Sequence, residues 1–327
     1  MDREKRGLLD LIISILPGIK ITEKIILMKT FECEDDLFVQ TRKDIEKILK
    51  REIKTFWDIS EMAEKAGHID TTCRIRSIKL VSWSSFEYPP LLREIYDPPA
   101  LIYYRGCLPN PEKPLLGMVG TRKPSRESAE QAYKIAGNIG RSGISVVSGL
   151  AYGIDAMSHR GNLISGVPGY AVLGSGIDGI YPSANKPLAN KILNSGGAII
   201  SEYPPGMPAS KWTFPARNRI IAALSRSVLV VEAPFKSGAL ITATFALEQG
   251  KDLWVASCGT REREGLDRRG TIKLAYDGAE IVFCASDILN KWNLKESFSN
   301  AADIYSSRPS CKEELISSIA DFLDIDI

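Results

Sequence analysis

The chain has 327 residues, a formal net charge of +2 and 44% hydrophobic residues, which indicates an ordinary folded protein with one large core and a smaller unit. This charge gives no indication of a nucleic-acid partner by itself. Six cysteines without a C-x-x-C pair favour neither a disulfide framework nor a zinc site, and only two histidines, His68 and His159, argue against a histidine-rich metal centre. No apolar run reaches the roughly 18 to 20 residues that span a bilayer, so we expect no membrane partner. The scattered cysteines fit a reducing cytoplasm, and we expect neither a metal nor a cofactor.

Residues 1–78 predict a small all-helical domain. Apolar residues recur there at helical spacing, beginning with Leu8, Leu11, Ile12 and Ile15. Asp10 interrupts this first apolar run, so we interpret it as an amphipathic helix and not as a leader. The segment "LPGIK" (16–20) predicts a tight turn between two helices, as in helix-hairpin-helix DNA-binding domains. This turn either contacts a phosphate or only joins the helices, and a protein-docking role for the domain stays open.

Residues 79–290 show the rhythm of repeated βα units after a connector at 84–106. Short apolar runs predict strands at 115–120, 144–149, 170–174, 198–202, 228–233, 253–257 and 280–284. Because these runs do not alternate with polar residues, they indicate a parallel sheet that is buried on both faces. We expect an α/β fold with a doubly wound sheet that binds its ligand beyond the carboxyl ends of the strands. Residues 291–327 predict a tail with one helix.

Three strand ends carry groups that suit a phosphate. These residues are Gly120, Thr121 and Arg122 after the first strand, Ser148 and Gly149 after the second, and Ser237 and Gly238 after the fifth. The glycines allow close backbone approach, the guanidinium offers a fork for phosphate oxygens, and the following helices have N-termini that favour anions. Asp155, in the helix after the second strand, either caps that helix or holds an arginine.

After the third strand, "GSGIDG" (174–179) formally matches the dinucleotide motif G-x-G-x-x-G. That motif requires a helix that opens on its third glycine, whereas Pro182 delays the helix here. We therefore do not expect NAD, and we interpret the glycines as a turn at the rim of a phosphate-binding floor.

The segment "SKWTFPARNRI" (210–220) combines aromatic rings with cations. No acid lies between 203 and 231, an interval whose cations are Lys211, Arg217, Arg219 and Arg226. Bases of single-stranded nucleic acid stack on aromatic rings, at about 1–3 kcal/mol each, while cations bind the phosphates. We expect Lys211 and Phe214 to contact such a ligand.

An alternative interpretation of this segment is structural. Trp212 and Phe214 would then pack in the core, and the arginines would pair with Glu202 and Glu232. For Trp212 both interpretations stay open.

The sequence lacks a recognisable catalytic set. Asp155 and His159 stand one helical turn apart beside Ser158, but no third group completes a nucleophile arrangement. Paired carboxylates at hydrolase spacing and an H-E-x-x-H motif are missing from the sequence as well. We therefore expect no catalytic residue and no enzyme, and we expect a structural role for His159.

Six motifs in order make the chain resemble the DNA-processing protein A family (DprA, also called Smf) from about Tyr88 to Phe283. They are "YPPLLREIYDPPALIYYRG", "VGTRKPS", "VSGLAYGIDAMSHRG", "VLGSGIDGIYPSANKPL", "GGAIISEYPPGMPASKWTFPARNRIIAALS" and "VVEAPFKSGALITATFALEQGKDLW".

The resemblance implies an extended Rossmann-like domain that binds single-stranded DNA as a homodimer, without catalysis. It also implies that the protein protects incoming DNA and helps to load the RecA recombinase during natural transformation. By motif match, the residues assigned to DNA are Gly120, Thr121 and Arg122 of the phosphate-binding turn, Lys211 and Phe214, and the triplet Arg217, Asn218 and Arg219.

The loop 256–279 departs from the family pattern, with Cys258 where a proline is usual and Ile272 where an asparagine is common. Its role in binding stays open, and we expect the tail after residue 290 not to form the winged-helix module of some members. Two other functions are considered, a nucleotide-processing enzyme related to the phosphoribohydrolases and a nucleotide-sensing module. The "PGGxGTxxE" loop of those enzymes is replaced here by "SGALITATF".

Overall fold

Residues 3–294 are described by the structure, a computed structural model. The chain begins with five helices that pack together, namely α1 (Arg3–Ile15), α2 (Ile21–Thr30), α3 (Glu34–Phe38), α4 (Arg42–Leu49) and α5 (Ile59–Ile75). The local sequence fixes the starts of two of them, because Thr41 and Asp58 accept hydrogen bonds from backbone N–H groups in the first turns of α4 and α5. The predicted all-helical N-terminal region is confirmed.

The turn "LPGIK" joins α1 to α2 and is held by contacts within the chain. Gly18 has a φ of 70°, and a Cβ there would lie 2.5 Å from the Thr55 hydroxyl oxygen. The Arg51 guanidinium donates to the Gly18 carbonyl at 2.8 Å and pairs with Glu23. Glu23 also accepts from the Lys20 amide at the start of α2. Because the Glu23 carboxylate already occupies the helix end where a phosphate would bind, the structure favours a turn that only connects α1 and α2 over one that contacts a phosphate.

Nine strands form one sheet in the order β1-β2-β6-β5-β4-β3-β7-β8-β9. Their bounds are β1 (Lys79–Ser82), β2 (Leu101–Gly106), β3 (Leu115–Val119), β4 (Ser145–Ser148), β5 (Tyr170–Leu173), β6 (Ala198–Ser201), β7 (Ser227–Val230), β8 (Asp252–Ala256) and β9 (Glu280–Val282). All pairs from β6 to β9 in this order are parallel, whereas β2 pairs antiparallel with β1 and β6. The predicted α/β fold with a mostly parallel sheet is confirmed.

Helices cover both faces of this sheet. They are α6 (Pro90–Arg93), α7 (Arg126–Arg141), α8 (Ile154–Leu163), α9 (Lys186–Asn194), α10 (Thr213–Leu224), α11 (Gly238–Glu248), α12 (Arg269–Tyr276) and α13 (Ala285–Lys291). In β7, Val228 and Val230 face a core shared with α10 and α11, while Leu229 faces a second core with α7 and α8. Successive side chains of a strand point to opposite faces, so a strand between two helix layers must be apolar throughout.

The segment 84–106, interpreted from the sequence as a connector, contains α6 and β2. Tyr88 is buried within it and donates its hydroxyl to the Pro99 carbonyl at 2.7 Å. The segment therefore packs onto the antiparallel edge of the sheet, and the connector prediction is wrong. The helix predicted within 291–327 falls outside the described residues.

Element types change from helix to strand between α5 and β1, near the predicted domain boundary after residue 78. One core cluster nevertheless joins side chains of α1, α2 and α5 to those of β2, β5 and β6. The helical region thus packs directly on the sheet, and the division of the chain into domains stays a prediction.

Candidate nucleic-acid interface

The strand order creates a topological switch point in the sheet. From β3 the chain proceeds to β4, β5 and β6 on one side, and from β7 it proceeds to β8 and β9 on the other, while β3 and β7 pair directly. Open α/β sheets form a crevice beyond the carboxyl ends of the strands at such a point. A cavity of about 680 Å³ opens here between the turn after β3, the start of α10 and the turn after β7.

The turn Gly120-Thr121-Arg122 lines this cavity. A Cβ at Gly120 would lie 2.5 Å from an isoleucine side chain of α8, so glycine is required there. The Thr121 amide donates to the Glu232 carbonyl at 2.7 Å, and the Thr121 hydroxyl accepts from the Lys123 amide at 3.2 Å. These bonds fix the turn while the Arg122 side chain stays exposed to solvent.

Phe214 brings an aromatic ring to the same cavity from the first turn of α10. Its ring is half-buried, and the guanidinium carbon of Arg122 lies 5.3 Å from the ring centroid, over the ring. The ring of Tyr181 lies 5.5 Å from that of Phe214, centroid to centroid, at a tilt of 45°. A guanidinium at this distance is attracted by the electrons of the ring. A cation and an aromatic ring from different strand ends therefore meet on one surface.

Lys211 and Trp212 extend this surface beside α10. Lys211 lines the cavity, and its ammonium nitrogen lies 5.0 Å from the centroid of the Trp212 ring. The Trp212 side chain is 72% exposed. Core packing of Trp212, one of the two open interpretations, is therefore wrong, and the ring is available to a ligand.

Arg217 and Asn218 also line the cavity, but their polar atoms are used within the protein. Arg217 donates to the Gly149 carbonyl at 2.9 Å and to the Val172 carbonyl. The Asn218 amide donates to the Gly238 carbonyl at 3.1 Å. Both side chains thus tie α10 to the neighbouring strand ends and to α11, and they fix the floor of the site.

Two arginines from the acid-free interval face away from the cavity. The Arg219 side chain is 3% exposed, and its guanidinium pairs with Glu202 at 2.6 Å and with Asp97 at 2.9 Å. Burial alone would lower the pKa of Arg219, but these two carboxylates raise it. Arg226 precedes β7, at the amino ends of the parallel strands and away from the cavity. Its guanidinium carbon lies 5.1 Å from the centroid of the Trp292 ring. The predicted DNA contact of Arg219 is therefore corrected to a buried ion pair.

Ser148 and Gly149, predicted to face an anion, are buried. The Ser148 hydroxyl donates to the Met118 carbonyl at 2.6 Å, and the Gly149 amide donates to the Asp155 carboxylate at 3.2 Å. A Cβ at Gly149 would lie 2.5 Å from the Arg217 guanidinium. Burial raises the pKa of Asp155 and lowers that of Arg217 to about 10, and each group partly offsets the shift of the other. This turn is corrected to a structural support, and Asp155 holds it by accepting from the Gly149 and Ala151 amides, while its charge acts on the nearby Arg217.

Ser237 and Gly238 line the cavity at the N-terminus of α11. The Ser237 hydroxyl accepts from the Ala239 amide at 3.2 Å and so caps the helix. Lys236 lines the cavity beside them with an exposed side chain. This lysine was not predicted, although its position directly before an anion-accepting helix end was a usable signal.

Two of the three glycines in the segment 174–179 serve close packing. A Cβ at Gly174 would lie 2.8 Å from the Phe214 ring, and one at Gly176 would lie 2.5 Å from a backbone carbonyl. The following helix, α9, begins only at Lys186. The segment therefore lacks the helix start that a dinucleotide motif requires.

The side chains considered for catalysis lie inside the protein. The Ser158 hydroxyl donates to the Ile154 carbonyl of its own helix at 2.8 Å. His159 is 0% exposed, and burial lowers its pKa to about 3, so the imidazole is neutral near pH 7. Neither group is in a position to act as a nucleophile or base on a ligand in the cavity. Within residues 3–294, no group of three or more His, Cys, Asp or Glu side chains is placed to hold a metal ion.

The loop 256–279, which departs from the family pattern, is tied to the end of β7 and to α7. The buried Arg268 side chain pairs with Glu232 at 3.2 Å and with Glu127 at 3.4 Å. Cys258 is buried in the same cluster, where its Sγ lies 3.2 Å from a serine hydroxyl of α7. These contacts give the unusual cysteine a packing role behind the phosphate-binding turn.

A comparison with protein families matches residues 79–293 to the family described as DNA recombination-mediator protein A. The chain belongs to this family. The matched region contains every strand of the sheet and all the residues that line the cavity.

Curated relatives include Protein Smf from Synechocystis sp., 44% identical over 62% of this chain and 51% of the relative's length. Protein Smf from Borreliella burgdorferi is 31% identical over 89% of this chain and 90% of the relative. The match therefore spans about half of one relative and nearly all of the other.

Two solved structures are similar over most of their own length. The DNA processing protein A of Streptococcus pneumoniae is 31% identical, with a TM-score of 0.69, over 89% of this chain and 99% of that one. The DNA processing protein A of Helicobacter pylori, which binds single-stranded DNA, is 26% identical, with a TM-score of 0.57. This match covers 66% of this chain and 95% of that one. No helix within residues 3–294 is long and apolar enough to cross a membrane.

Proposed function

We propose that this protein binds single-stranded DNA at the switch-point cavity and acts as a recombination mediator without catalytic turnover. The similar protein of Helicobacter pylori binds single-stranded DNA. Membership of the recombination-mediator family supports the same role here.

The observation that carries the proposal is the meeting of Arg122, Phe214 and Lys211 at one cavity. An exposed guanidinium and an ammonium suit two phosphates of a strand, and an aromatic ring at the same cavity suits a base. Duplex DNA keeps its base faces stacked inside the helix, so the ring would have no partner there. A single strand is therefore the ligand that uses both parts of the site.

Substitutions of Lys211 and Phe214 test this proposal. Lys211→Ala is expected to weaken binding of a labelled oligo-dT and to reduce the slope of log affinity against log salt by about 0.7, the value for one phosphate contact on a single strand. Phe214→Ala is expected to weaken binding by about tenfold with an unchanged slope, because it removes stacking and no charge. Fluorescence anisotropy at several salt concentrations measures both.

Lys134→Ala provides the matched control. Lys134 is a solvent-exposed lysine of α7 that pairs with Glu130 within its own helix, so its loss is expected to leave both affinity and slope unchanged. Parental binding by both Lys211→Ala and Phe214→Ala would show that the site lies elsewhere.

The second candidate function is nucleotide processing or sensing. The turns that could bind a phosphate favour this second function. The buried Ser158 and His159 argue against catalytic turnover of a nucleotide. Release of free base from a nucleoside monophosphate would promote the enzyme, and tight mononucleotide binding without affinity for oligo-dT would promote the sensor.

The further roles that we propose rest on family membership. They are protection of incoming DNA, loading of RecA during natural transformation, a homodimer and a cytoplasmic location. Nuclease digestion of bound oligo-dT tests protection, sedimentation tests the dimer, and strand exchange by RecA on strands coated with a single-strand-binding protein tests loading.

A further inference from the structure

We propose that Tyr181 forms a second nucleobase subsite, next to Phe214, for the strand that binds in the switch-point cavity. The inference rests on the proposed function, because it assigns an additional base contact to the same site. Its ligand is a base that follows the one on Phe214 along a single strand.

Two flat groups, the Arg122 guanidinium and the Tyr181 ring, neighbour the Phe214 ring. The Arg122 guanidinium lies over the Phe214 ring at 5.3 Å, and the Tyr181 ring lies 5.5 Å from Phe214. At this distance and tilt the two rings touch each other directly, so a base does not fit between them. A strand held by its phosphate at Arg122 can therefore place one base on Phe214 and a neighbouring base on Tyr181.

Phe214 offers only part of its ring to a strand. It is half-buried, Arg122 covers one of its faces, and the backbone of Gly174 packs against its ring edge. The Tyr181 side chain, in contrast, is 52% exposed. Of the two neighbouring rings, Tyr181 thus offers the larger accessible aromatic surface.

The segment that carries Tyr181 is fixed by hydrogen bonds on both sides of the tyrosine, so it loses little conformational entropy when a ligand binds. Before the tyrosine, Asp178 accepts from the Gly206 amide at 2.8 Å and pairs with Arg76. After it, the Asn185 side chain donates to the Leu150 carbonyl at 2.9 Å. An exposed ring on a fixed segment is what a base platform requires, since stacking then costs little ordering of the protein.

The test uses three variants of the full chain and two labelled strands of about 20 nucleotides, oligo-dT and an abasic strand with the same phosphates. Tyr181→Ala is expected to bind oligo-dT about tenfold more weakly than the parent and to bind the abasic strand equally well, since only base stacking is lost. Tyr181→Phe keeps the ring and is expected to bind like the parent. Tyr276→Ala is the control, because Tyr276 is 91% exposed at the end of α12, at the opposite edge of the sheet.

A double variant separates a direct contact from support of Phe214. If Tyr181 contacts its own base, Tyr181→Ala weakens oligo-dT binding by a similar factor in the Phe214→Ala background. Loss of this effect in that background overturns the subsite, because Tyr181 would then act only through Phe214. Parental binding by Tyr181→Ala, while Phe214→Ala is weakened, overturns the subsite and leaves the proposed function standing. A parent that binds oligo-dT no better than duplex overturns both.

Discussion

Buried charged side chains at this site organise the surface that a ligand would meet. Arg217 lies next to Asp155, and Arg219 pairs with Glu202. A buried cation is costly unless an opposite charge and hydrogen bonds surround it. Because both arginines are satisfied within the protein, the cations left for phosphates are exposed ones, chiefly Arg122, Lys211 and Lys236.

His159 predicts a distinct dependence of stability on pH. Burial, together with the nearby Arg217 charge, lowers its pKa from 6.5 to about 3, and neither ring nitrogen has a hydrogen-bond partner in the described part of the chain. Below pH 6.5 the unfolded chain therefore binds a proton at His159 that the folded protein does not bind. The stability contributed by neutral His159 is complete above pH 6.5 and is lost as the pH falls towards 3. Between pH 7.5 and 5 we expect this loss to be about 2 kcal/mol.

Urea unfolding of the parent, His159→Leu and His68→Ala at pH 7.5 and pH 5 measures this effect. His159→Leu is expected to remove most of the acid-induced loss that the parent shows, whatever its own stability at pH 7.5. His68 is exposed on α5, so His68→Ala should keep the parental loss. An equal loss in all three proteins would show that His159 is not the group responsible.

At the scale of elements, the approach of α10 to the end of β5 determines where Phe214 lies. The Gly174 backbone packs against the Phe214 ring, and the Thr213 hydroxyl accepts from the Ser210 amide at 3.0 Å at the start of the helix. No side chain fits between strand end and helix. The glycine is therefore needed for close packing of backbone against ring.

Gly174→Ala tests this packing, and Gly179→Ala from the same glycine segment is its matched control. The added Cβ at Gly174 would lie 2.8 Å from the Phe214 ring, whereas one at Gly179 has its nearest neighbour at 3.6 Å. We expect Gly174→Ala to lower the free energy of unfolding by about 1–3 kcal/mol through overpacking and to weaken oligo-dT binding. Gly179→Ala should match the parent in both urea unfolding and anisotropy titration. Parental values for Gly174→Ala would contradict the packing described.

The elements that the sequence predicts well are those with a local signal. Each of the seven predicted strands begins within one residue of the observed start, because a strand buried on both faces is a continuous apolar run. The antiparallel strands β1 and β2 were missed, since β2 follows a proline-rich segment and its last residues are partly exposed.

The sequence predicts only those residues of the site that directly follow the carboxyl ends of neighbouring strands. The positions of Gly120, Arg122, Phe214 and Ser237 at one cavity follow from the rule that parallel strands share a carboxyl edge. The pairing of Arg219 with Glu202 was one of the alternatives left open from the sequence, whereas its second partner, Asp97, lies 122 residues earlier and gave no local signal. Tyr181 lies eight residues beyond the end of β5, and its contact with Phe214 is set by tertiary packing alone.

At the scale of the whole molecule, a chain of net charge +2 concentrates exposed cations and rings at one edge of its sheet. The switch point between β3 and β7 creates the cavity, and the helices behind it supply a rigid floor. The net charge of the chain therefore does not indicate the positive potential at this edge, and it is this local potential that attracts a phosphate chain. The central claim is that this edge selects single strands over duplex.

The most direct measurement is a competition between oligo-dT of about 30 nucleotides and a duplex of the same length for the parent protein, at low and moderate salt. We predict that the single strand binds at least about tenfold more tightly, because a base can reach Phe214 only when it is unpaired, and that affinity falls as salt rises. Equal or tighter binding of the duplex would contradict the account.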